Sequence, residues 1–175
     1  MRKSAMGMHL PAIGAADCRG FTLVELLVAM AVLAILAGIA VPAFDSFVLS
    51  NRLRTYSNSL VVSAQLAKSE AMKRRTPVTL CKSANGTSCT TSGGWEQGWI
   101  VLAGTTVIRR EQPAASGYLL STTTNSLTFQ PSGFGSTQAT ITVCRSSPTG
   151  SQERVVTVSA TGRTTVTRTS TGSCS

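Results

Sequence analysis

Residues 26–41 form an unbroken run of sixteen side chains without a charge or a hydrogen-bonding group, and no other feature limits the fold so strongly. Residues 21–24 extend it at the front. As a helix, residues 21–44 span about 36 Å at 1.5 Å per residue, enough to cross a hydrocarbon core of about 30 Å. A cleavable secretory segment ending near Ala40 would need an apolar region of only about 7–15 residues, so the length favours a permanent anchor. Glu25 stands within this stretch, where a charged side chain costs on the order of 2.5–3.5 kcal/mol on insertion scales. That cost asks for compensation.

The helical pattern continues beyond the run. Leu53, Tyr56, Leu60, Ala64, Ala67 and Ala71 recur every three or four residues, while Arg52, Arg54, Asn58, Gln65, Lys68, Ser69 and Lys73 fill the other faces, which is the 3.6-residue period of an amphipathic helix. Pro42 is the only breaker before Thr76-Pro77, so one helix from about residue 22 to 75 is predicted. Its first half would sit in lipid and its second half would lay its stripe on a soluble domain. After Pro77, short β-branched runs at 78–82, 99–102, 106–109, 119–122, 127–130, 140–145, 154–159 and 164–169 are separated by turn residues such as Asn85-Gly86, Gly93-Gly94 and Thr161-Gly162. They predict a mostly antiparallel sheet over the helix stripe, and hence an α+β fold.

The charge is lopsided, with 16 Lys+Arg against 7 Asp+Glu and a net +9, which favours anionic partners. Residues 1–20 are polar to mildly apolar, broken by Gly7, Pro11 and Gly14, and have the character of a leader; without them the balance is still +7. Cys18 lies in that leader, leaving Cys81, Cys89, Cys144 and Cys174, an even number consistent with two disulfides in an exported domain. Four cysteines allow three pairings and the sequence alone does not choose. We favour Cys81–Cys89, which closes a short loop, with Cys144–Cys174, which staples the chain's end. No Cys-x-x-Cys spacing occurs and His9 is the only histidine, so no metal site is expected. Nor is catalysis or any cofactor: no Gly-rich phosphate loop, nucleophile elbow or close acidic pair is present. Trp95 and Trp99 are expected in the core.

Arg19-Gly20-Phe21-Thr22-Leu23-Val24-Glu25 at the head of so long a helix resembles the type III signal of type IV pilins and type II secretion pseudopilins. The resemblance implies cleavage after Gly20 by a prepilin peptidase, N-methylation of Phe21, and a mature chain of residues 21–175. It also implies a single-pass inner-membrane protein with its head in the periplasm, moved to a surface pilus on assembly. Gly20 has no side chain to obstruct an enzyme, and Arg2, Lys3 and Arg19 follow the positive-inside rule. In such families the glutamate matching Glu25 meets the positive amino terminus of a neighbouring subunit. Ala34 and Gly38 would let helices approach closely, and Pro42 would allow a local kink or melted turn during assembly. The type IV pilin fold then divides the chain into a leader (1–20), a transmembrane and filament-core helix (21–44), an amphipathic helix (45–76) and a β-rich head (77–175).

The stretches NRLRTYSNSLVVSAQLAKSEAMKRRTPVTLCKS and GGWEQGWIVLAG, with Arg109-Arg110, narrow the resemblance to the GspH/FimT family of minor pilins and pseudopilins. The cysteines and basic charge look more like the minor pilins of type IV pili, of the FimT/FimU kind, which implies support of pilus assembly initiation or a tip function. The implied partners are other major and minor pilins through helix bundling, the prepilin peptidase and the inner membrane, with no small-molecule substrate. Two alternatives are carried, a type II secretion pseudopilin H and a DNA-binding minor pilin for natural transformation. Some members of the family bind DNA through a Gly-Arg-x-Arg element; here the nearest match is Gly162-Arg163-Thr164-Thr165, which lacks the second arginine. Arg154, Arg163 and Arg168 are the candidate DNA-binding residues. Five residues separate Arg163 from Arg168, so on one regular strand they point to opposite faces; they would share a surface only across a bulge or if Arg163 lies in the turn.

Overall fold

The computed structural model describes residues 20–135, 137–172 and 174, so the leader assigned to residues 1–20 lies outside the described residues except for Gly20. The chain runs from one helix, α1 (Leu23–Arg74), into β1 (Val78–Lys82), a single 3-10 turn (Trp95–Gln97), β2 (Trp99–Ala103), β3 (Thr106–Glu111), β4 (Tyr118–Ser121), β5 (Ser126–Phe129), β6 (Ala139–Arg145), β7 (Glu153–Val158) and β8 (Thr164–Thr169). Contacts divide it into two units, with the division after Val41. In the first unit the helical side chains from Leu23 onward are exposed, Leu33 at 64% and Ile39 at 69%. This apolar helix is long enough to cross a membrane.

In the second unit α1 buries Leu49, Leu53, Ser57, Leu60, Ser63, Ala64, Ala67 and Ala71, a stripe stepping by three or four residues apart from the adjacent Ser63 and Ala64. The two serines are satisfied, as buried hydroxyls must be: Ser57 Oγ donates to Leu53 O at 2.7 Å, and Ser63 Oγ donates to Ser59 O at 2.8 Å while accepting from Trp99 Nε1 at 3.0 Å. Lys73 and Arg74 occupy the last turn, where cations complement the helix dipole. Arg75 then adopts φ 54°, a left-handed stop, and Pro77 prevents resumption.

The strands form two four-stranded antiparallel sheets, β3-β2-β1-β5 and β4-β6-β7-β8, where one sheet was expected. The split arises after β3. Pro113 supplies no N–H to extend that strand, and Gly117, at φ 85°, turns the chain so that β4 pairs with β6 instead of continuing the first sheet. The chain returns to the first sheet for β5 beside β1, then closes the second as a β6-β7-β8 meander. Leu80, Val101, Leu127 and Phe129 of the first sheet and Leu120, Ile141, Val143, Val156 and Val158 of the second share one core with Leu53, Leu60 and Ala67 of α1. Trp95 and Trp99 are both 1% exposed in that core.

Candidate functional site

Two places carry the residues singled out by sequence. At the amino end of α1, Gly20 is exposed, and a methyl group added to it would meet nothing within 4 Å. Phe21 is 82% exposed. Thr22 Oγ1 accepts a hydrogen bond from Glu25 N at 3.2 Å, the N-cap arrangement that relieves one unpaired helical donor. Thr22-x-x-Glu25 is the spacing of a capping box, a local cue that the sequence carries. The Glu25 carboxylate itself makes no hydrogen bond or ion pair among the described residues. Pro42 sits inside α1 and has no N–H, so the Gly38 carbonyl lacks its helical donor.

In the head, the strand register decides how the arginines relate. Arg154 of β7 and Arg168 of β8 are direct partners. Arg154 is 7% exposed; its guanidinium donates to Gln152 Oε1 at 3.3 Å and Glu153 O at 3.0 Å through Nη1, and to Ser50 Oγ of α1 at 3.2 Å through Nη2. Burial, then the positive charges of Arg168 and Arg54, push its pKa down. Arg54 is therefore a member of this cluster that sequence reasoning passed over as one more polar helix position. Arg163 is exposed and lies before β8 begins, in the turn where Ser159 N donates to Arg163 O at 2.9 Å. Gly162 beside it has φ 69°, and a Cβ there would come within 2.8 Å of Gly133 O. Arg163 is thus separated from Arg168 by the length of the strand.

Several contacts fix this corner of the head. Arg145, at the end of β6, makes a bidentate pair with Asp45 of α1 at 2.8 and 2.9 Å, and its hydrogen bond holds the Asp45 carboxyl below its ordinary value. Glu153 is 2% exposed. Burial pushes its pKa up, but hydrogen bonds from the Thr171 and Thr169 hydroxyls and from the backbone N–H groups of Thr171 and Gly172 outweigh that, so the net shift is downward. These bonds pin the segment after β8. Cys144 of β6 is bonded to Cys174 beyond it, and Cys81 of β1 to Cys89 in the following loop. Asp45, Arg145 and Glu153 had no signature in the sequence, since each depends on a partner far along the chain.

Comparison with known proteins adds two family-model matches and a set of folds. Residues 57–162, more than half of the chain, match the family described as type II transport protein GspH. Residues 16–41 match the prokaryotic N-terminal methylation motif. Two crystal forms of the type IV minor pilin FimU of Pseudomonas aeruginosa resemble the chain, one with TM-score 0.55 and 22% identity over 69% of this chain and 92% of that one, the other with TM-score 0.51 and 21% identity over 66% and 92%. The minor pseudopilin EpsH of the Vibrio cholerae type 2 secretion system aligns with TM-score 0.48 and 12% identity over 66% of this chain and 96% of that one. No curated protein sequence matches the chain.

Proposed function

The chain belongs to the GspH family of pilins and pseudopilins, and from that premise we propose that it is a minor pilin of a type IV pilus, cleaved by a prepilin peptidase after Gly20, methylated on Phe21 and built into the filament to support assembly initiation or a tip function. The observation that carries this reading is the N-terminal methylation motif over residues 16–41, coupled to an apolar helix whose side chains are exposed in the single chain. Such a helix needs lipid before assembly and other helices after it. The head would face the periplasm and then the cell exterior, where the two disulfides are stable.

Mass spectrometry of the mature protein tests this: the expected terminus is N-methylated Phe21, and an intact Met1 or a terminus near Ala43 overturns it. The type II secretion alternative separates by phenotype, since deletion of a minor pilin reduces surface pili whereas deletion of a pseudopilin stops exoprotein release. A DNA-receptor role draws support from the paired Arg154 and Arg168 but asks for cations tracking a phosphate backbone. If Arg163→Gln and Arg168→Gln both leave an electrophoretic shift unchanged, that role fails.

A further inference from the structure

Arg154 and Arg168 face each other across the β7–β8 pair, a placement that sets Cβ atoms about 4.5–5.5 Å apart and makes like charges repel. Ser50 binds Arg154 from α1, and Arg54 lies one helical turn further along the same face. All the hydrogen bonds of the buried Arg154 guanidinium go to neutral oxygens. Among the described residues none of the three guanidiniums has a carboxylate partner. The buried Arg154 bears the cost of an unpaired charge, the like charges of Arg54 and Arg168 add to it, and an external anion offsets it.

The anion does not come readily from a second copy. Among the described carboxylates of the second unit, Asp45 is held by Arg145, Glu70 by Lys73 and Arg74, Glu111 by Arg109, and Glu153 by Thr169 and Thr171, while Glu96 is half-buried and accepts from Leu120 N at 3.5 Å. Glu25 lies in the apolar helix of the first unit and belongs to no head surface that a second copy would present in water. With a net charge of +9, or +7 without residues 1–20, two copies of this chain also repel. A partner of opposite charge is the complementary one.

Beside the cluster is an open strand edge. The order β4-β6-β7-β8 leaves β8 with a neighbour on one side only, and its register with β7 runs without a shift from Thr164 to Thr169. The backbone N–H and C=O groups on its far side are a template for another strand; β8 contains no Pro, and its one charged side chain, Arg168, discourages a basic or neutral strand but suits an acidic one. Val166, 42% exposed, lies on the same face as Arg168. A nucleic acid would use the cations but neither the strand edge nor the valine. An extended polypeptide uses all three.

We propose that β8 and the Arg54–Arg154–Arg168 cluster dock an extended acidic segment of another protein, which adds to β8 as a strand and sets a carboxylate on the guanidiniums. The surface belongs to the second unit alone, Pro42–Ser175, so the proposal is independent of cleavage at Gly20 and of which filament the subunit joins.

The test uses the full chain in detergent micelles at low salt, with anisotropy of a fluorescein-labelled hexapeptide alternating valine and glutamate, of its valine–glutamine counterpart, and of a labelled single-stranded oligonucleotide. Amide hydrogen exchange on the same samples reads β8. The glutamate peptide is expected to bind at least about tenfold more tightly than the glutamine one, as charge-assisted bonds are stronger than neutral ones. Arg168→Gln, at an exposed position that leaves folding intact, should remove about that factor, while Arg163→Gln leaves binding unchanged and the amides of residues 164–169 become protected by the peptide. The proposal is overturned by no peptide binding, by equal binding of the two peptides, by equal losses in the two variants, or by tighter oligonucleotide binding without protection of β8.

Discussion

Glu153 illustrates how a single residue can be costly in isolation and stabilising in context. At 2% exposure it would be destabilising as a lone carboxylate, yet hydroxyl and backbone donors from Thr169, Thr171 and Gly172 hold it ionised. Asp45 shifts the same way, chiefly through its hydrogen bond with Arg145. A carboxyl whose folded-state pKa lies below its unfolded value stabilises the fold at pH above that unfolded value, and the contribution is lost as pH falls through the folded one. With ordinary values of 3.8 for Asp and 4.5 for Glu, the midpoint of thermal unfolding should be nearly flat from about pH 7 to 5 and drop below about 4. Asp45→Asn should be less stable than the parent at neutral pH and converge with it in acid. A parallel offset between the two curves at every pH would show that the Asp45 charge is not what matters. None of this was legible beforehand, because the partners of Asp45 and Glu153 are set by tertiary contacts.

The elements were far more legible than their arrangement. The helix expected over about 22–75 is Leu23–Arg74, and each of the eight β-branched runs became a strand within two residues of its expected ends. Periodicity and turn residues are local properties, so they survive folding. Sheet membership is not local: nothing in residues 119–122 says that β4 pairs with β6 rather than extending the sheet of β1 to β3. Nothing in either strand's own alternation places Arg154 against Arg168; only the register makes them opposite each other. The helix stripe yields a test at this scale. Leu60 is fully buried in the shared core and Val62, two residues on, is 46% exposed. Leu60→Ala should cost about 2–5 kcal/mol in denaturant unfolding and Val62→Ala no more than about 0.5. Comparable costs would mean that the stripe is not the face that packs.

At the scale of the whole molecule, the chain is incomplete by itself. Its first unit exposes an apolar helix and carries, at Glu25, a carboxylate with no partner among the described residues. Two physical roles for that residue make different predictions. As a helix-capping group working with Thr22 it needs shape and a hydrogen-bond acceptor, and Gln serves at that position of a capping box as well as Glu. As the charge that meets a neighbour's positive amino terminus it needs to be ionised, so Gln fails as badly as Ala. Filament membership as proposed above favours the second role, because a buried charge is tolerated only when its opposite arrives. Both Glu25→Gln and Glu25→Ala should still be cleaved after Gly20 and should insert in the membrane at least as readily, since neither carries a charge into the apolar span. Their recovery in filaments sheared from the cell surface should fall together, by about tenfold or more, the effect of leaving one charge of a buried pair alone. Normal incorporation of Glu25→Gln beside a loss for Glu25→Ala would assign Glu25 to the helix cap and remove the charge from the account of assembly.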